Sequence, residues 1–65
     1  MNYTITAKLN GSTSRIGFSA SDDTAATFDA ISIILDKAMS SKVWAKGHIT
    51  LRNSNGEVLH EMGAK

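Results

Sequence analysis

Tyr3-Thr4-Ile5-Thr6-Ala7-Lys8-Leu9, then Asn10-Gly11, then Ser12-Thr13-Ser14-Arg15-Ile16-Gly17-Phe18, is the stretch that decides the fold. Tyr3, Ile5, Ala7 and Leu9 alternate with Thr4, Thr6 and Lys8, the period-two pattern of a half-buried strand. Both central residues of a type I′ turn need φ > 0, which Gly adopts freely and Asn tolerates, so Asn10-Gly11 marks a two-residue hairpin loop. Counting back from that loop sets Leu9 against Ser12, Ala7 against Ser14, Ile5 against Ile16 and Tyr3 against Phe18. Large apolar residues then meet on one face, and a one-residue slip would divide them.

Outward from this hairpin, Ser21-Asp22-Asp23-Thr24 opens a helix. Ser21 or Asp22 can cap its free backbone N–H groups, and the carboxylates suit the positive end of the dipole. Phe28, Ile31, Leu35, Ala38 and Met39 then recur at helical spacing, with Ala25 and Ile34 widening the stripe, which predicts that this face packs on the sheet. Ala26, Ala30 and Ile33 fall near the opposite side, so Ala30 and Ile33 are expected to form an outward contact surface. Val43 to Asn53 reads as a second long strand. Val43, Ala45, Gly47, Ile49 and Leu51 form its inward set, and Trp44, Lys46, His48, Thr50 and Arg52 its outward set. Asn55-Gly56 closes a second hairpin, either as a two-residue turn or as a longer loop with a Gly bulge. The unbulged registers are preferred; they set Val58, His60 and Met62 inward with Leu59 and Glu61 outward, and leave Gly63-Ala64-Lys65 as a frayed end. The prediction is an α+β domain over residues 1–65, ββαββ, in which an antiparallel sheet of two hairpins carries one central helix on one face.

Composition narrows what such a domain does. A chain of 65 residues buries only about 60% of its unfolded surface, and with no cysteine it lacks disulfides to reinforce it. Self-association or a larger partner is the remaining way to bury more apolar surface. Seven basic and six acidic residues give a net charge of +1, too balanced for non-specific binding to a phosphate backbone except through a local patch. The opening Met1-Asn2-Tyr3-Thr4 has neither a basic nor an apolar leader region, and no apolar run approaches the roughly 18 residues of a membrane span. A cytoplasmic protein without membrane contact is expected.

Enzymatic chemistry has little to stand on. There is no cysteine nucleophile, Gly-x-Ser-x-Gly motif or phosphate-cradling Gly loop, and Asp22-Asp23 is accounted for by capping. His48 and His60 fall on opposite faces in either unbulged register, so they do not share a metal; no catalytic residue, metal or cofactor is expected. His48 can meet Glu61 across the strands as a solvated pair.

Trp44, Lys46, His48 and Arg52, predicted on one strand face, make the leading candidate contact surface, with Leu59 beside them and Ala30 and Ile33 on the helix as a second. The expected function is non-enzymatic binding of a protein, either a host protein or a second copy in a homo-oligomer. A single-stranded nucleic-acid binder is the alternative, with Lys8 and Arg15 extending the cationic strip around Trp44. Lys46-Gly47-His48-Ile49-Thr50-Leu51 resembles the Lys-Gly-aromatic core of RNA-recognition motifs, although the element order differs. A third reading is an oligomer that binds a small ligand in an interfacial pocket. In order and size Ile16 to Leu59, a strand, a Ser-Asp-Asp capped helix and an Asn-Gly hairpin, resembles small phage-encoded inhibitors that seize a host polymerase or a defence complex. That resemblance covers about two thirds of the chain and implies a binding role as an inhibitor or accessory protein, without assigning any residue.

Overall fold

A computed structural model describes residues 1–63; the expectation for Ala64 and Lys65 lies outside the described residues. Strands β1 (Asn2–Leu9) and β2 (Ser12–Ser19) form the first hairpin, α1 (Asp23–Ala38) and a short α2 (Lys42–Lys46) follow, and β3 (His48–Asn53) and β4 (Val58–Met62) complete a sheet of order β2-β1-β3-β4. The α+β, ββαββ architecture is as read from the sequence, with all pairings antiparallel. Asn10 and Gly11 take φ of 49° and 85°, and the turn fixes Leu9↔Ser12, Ala7↔Ser14, Ile5↔Ile16 and Tyr3↔Phe18. Tyr3 and Phe18 stack at 5.7 Å between ring centroids.

The second hairpin departs from the preferred register. Residues 54–57 form a longer loop in which the Asn53 side-chain oxygen accepts from the Asn55 and Glu57 amides at 2.9 and 3.0 Å. A bulge between Leu51 and Arg52 then pairs Arg52 with Val58 instead of Leu59. His60 and Met62 still oppose Leu51 and Ile49, but Val58 is exposed and Leu59 turns partly into the core.

Two further expectations are corrected, and they share a cause. The strand predicted from Val43 begins only at His48, because Ser41 to Gly47 form one helical turn. That turn swings Trp44 off the outward face into the core, where it is 4% exposed and its indole Nε1–H donates to Ser14 Oγ at 3.2 Å. Ser14 lies opposite Ala7, so two small residues on the inner sheet face leave room for the indole. Gly47 lets the chain turn back into the sheet, since a side chain there would collide with the Val43 and Lys8 carbonyls. With Tyr3, Ile5, Ile49, Leu51 and Trp44 already filling the space under the helix, its first turns fit there with the small side chains of Ala26 and Ala30, and a larger one, Ile34, follows only further along. Helix α1 therefore turns Ala26 and Ala30 to the sheet, the reverse of the predicted orientation, while Ile34 is buried as expected.

Asp22 caps α1, its carboxylate accepting from the Ala25 amide at 2.8 Å. Asp23 in the first turn accepts from the Tyr3 hydroxyl at 2.8 Å, tying the helix start to the central strand. The Tyr3 ring is buried while its hydroxyl sits at the rim; burial first, and then this bond and the charges of Asp23 and Asp22, push the phenol up to about 12. Among the described residues no helix is long and apolar enough to cross a membrane.

Candidate protein interface

The predicted contact residues do not stay together. Trp44 is buried, Lys46 ends α2 and so lies off the strand, Leu59 is half-buried, Ala30 is buried at 2% exposure and Ile33 packs against the core. Only His48 and Arg52 remain on the open sheet face, and there they meet Lys8 and Arg15. These side chains surround a floor that includes Thr4, Thr6 and Thr50, in a shallow concavity of about 610 Å³. His48 Nε2 lies 2.9 Å from Glu61 Oε2, and Arg52 donates to the Gly56 carbonyl at 2.8 Å, so two of the four are engaged locally. His48 and His60 lie on opposite sides of the sheet.

This face is cationic and has lost its aromatic. Tyr3, Phe18 and Trp44 all lie on the helix side of the sheet, and Phe28 is on the helix itself. Base stacking is worth about 1–3 kcal/mol per base, so what remains for a single strand is a salt-sensitive electrostatic contact.

The reversal of α1 creates a different surface. Phe28, Ile31, Leu35 and Met39, the residues expected in the core, are 68%, 36%, 64% and 87% exposed. They follow one another at spacings of three, four and four, so they form a single stripe along the outer side of the helix. Together they leave the equivalent of about two and a half large side chains in water. At about 1.5–3 kcal/mol for each side chain fully buried, covering the stripe is worth roughly 4–8 kcal/mol before association costs. Thr24, Ser32 and Ala38 border it, while Asp29 and Asp36 lie about a quarter-turn or more round the helix from its centre. The stripe is therefore apolar with a small, neutral margin.

The sequence displayed this stripe plainly, but assigned it inward because its residues are the larger of two apolar sets. Apolar residues on both sides of α1 are legible in the sequence, Ala26, Ala30 and Ile33 on one and Phe28, Ile31, Leu35 and Met39 on the other; which side meets the sheet is not. Comparison with known proteins finds no matching family model, no similar curated protein and no similar solved structure.

Proposed function

We propose that this protein is a non-enzymatic protein-binding module that acts through the outer stripe of α1. The exposure of Phe28, Leu35 and Met39 on one continuous line carries the reading. Four large apolar side chains aligned on a helix form the knobs that an apolar groove or a second helix accepts. Such a module works by occupying a partner's surface, as an inhibitor or accessory subunit. The open sheet face, with Lys8, Arg15, His48 and Arg52 around it, supports a second reading in which an anionic strand lies across the threonines.

A photo-crosslinking amino acid placed at Leu35, or separately at Arg15 on the open face, tests both. Irradiation in cells should give discrete protein adducts, self-adducts included, from position 35, and these should vanish when Phe28→Ser is added. Adducts from position 15 alone would overturn the helix reading. Nucleic acid among those adducts would favour the second.

A further inference from the structure

We infer that the outer stripe of α1 is covered by a second copy of this chain, the two helices packing antiparallel about a two-fold axis. The inference rests on the helix stripe being the contact surface and names its occupant.

The first argument is area. Phe28, Ile31, Leu35 and Met39 expose on the order of 500 Å² of apolar surface, toward the upper end of the largest patch on an ordinary monomer. A symmetric pair covers two such patches with each other. That gives about 1,000 Å² of apolar contact before the margins are added, close to the 1,200–2,000 Å² of specific interfaces.

The second argument is the order of side chains. The midpoints of Phe28 and Met39 and of Ile31 and Leu35 both fall at Ile33, or within half a residue of it. A two-fold axis there sets Phe28 against Met39 of the second copy and Ile31 against Leu35, in both directions at once. The largest, most rigid side chain meets the most adaptable one, and a thioether against an aromatic ring is a favourable contact. Spacings of three and four are those of a seam that accepts a second helix at a shallow crossing angle.

The third argument is charge. Thr24, Ser32 and Ala38 border the stripe, so a second copy brings no like charges together at the seam, and no charge there recruits a strongly basic or acidic partner instead.

Phe28→Lys and Met39→Glu, alone and combined, test both the occupant and its direction. Sedimentation equilibrium should give twice the chain mass for the wild type. Each single substitution enters both copies and should weaken the pair at least about a hundredfold, and the combination should recover to within about tenfold of the wild type as each lysine meets a glutamate. A single variant that unfolds and is refolded by the second substitution carries the same meaning. Failure of the combination to recover would overturn the antiparallel order, because in a parallel pair like charges face each other. A wild type that is monomeric at all concentrations would overturn the second copy as occupant, while adducts from position 35 with another protein would leave the binding reading standing. A dimer indifferent to both single substitutions would place the contact elsewhere, such as the β2 edge, and overturn the inference.

Discussion

Trp44→Ala separates a buried from an exposed indole. The side chain is 4% exposed, and large-to-small replacement of a buried aromatic costs about 3–5 kcal/mol. At roughly 0.05–0.15 kcal/mol per residue, a domain of 65 residues holds only about 3–10 kcal/mol in all. The variant should therefore lie at or beyond the edge of folding. Trp44→Phe keeps an aromatic ring in the space but removes the N–H that Ser14 accepts, and should lose a smaller amount, roughly 1–3 kcal/mol. Urea unfolding followed by far-UV circular dichroism gives both numbers. Because Trp44 is the chain's only tryptophan, its emission reports the same site, blue-shifted when folded and moving to the solvated position at the same urea midpoint. Solvated emission in native buffer, or a Trp44→Ala variant within about 0.5 kcal/mol of wild type, would refute the burial and return Trp44 to the outer sheet face.

The two sides of α1 should respond oppositely at a dilution where the chain is monomeric. Ala30→Leu overpacks the sheet side and should lose about 1–3 kcal/mol, whereas Leu35→Ser should change unfolding by less than about 0.5 kcal/mol; a reversed ranking would mean the helix is turned the other way. Tyr3 should impose an alkaline limit. Its phenol is pushed up to about 12, so the folded chain holds that proton more tightly than the unfolded one. The resulting stabilisation is complete below the ordinary value of about 10 and is lost as pH climbs toward 12. Urea midpoints at successive pH values should fall more steeply for wild type than for Tyr3→Phe above pH 10, and parallel curves would rule the effect out.

What could be read from the sequence follows from how locally each feature is determined. Asn10-Gly11 and the parity around it specify the first hairpin without outside help, and Asp22 caps α1 through a contact three residues away. The orientation of α1 is a question of shared volume. It depends on Trp44 entering the core from α2 and on the large side chains of β1 and β3, none of which lies within the helix pattern. The stretch Val43 to Gly47 misleads for a related reason, since five residues ending in Ala-Lys-Gly fit a helical turn as well as the start of a strand; the decision is made by the space beside Ala7 and Ser14. For the second hairpin the sequence left two loops open; the longer one forms, held by the Asn53 side chain, and the bulge at Leu51/Arg52 alters only the pairing next to it, leaving His60 and Met62 opposite Leu51 and Ile49. The candidate interface was visible as a periodicity and hidden as a direction.

The strand order has a consequence for how the chain acquires its structure. β1 occupies the interior of the sheet, yet its second neighbour is β3, with Tyr3 paired to Asn53 across fifty residues. The first hairpin and α1 can form locally and early, but the remaining edge of β1 stays open until residues 48–53 have left the ribosome. Closing so distant a pairing raises the contact order and slows the final step of folding. During synthesis the inner faces of Tyr3, Ile5 and Ala7 wait half-covered for Ile49 and Leu51. β3 is thus the strand whose arrival converts a hairpin and a helix into one cooperative unit, and chains ending before it should be prone to aggregation.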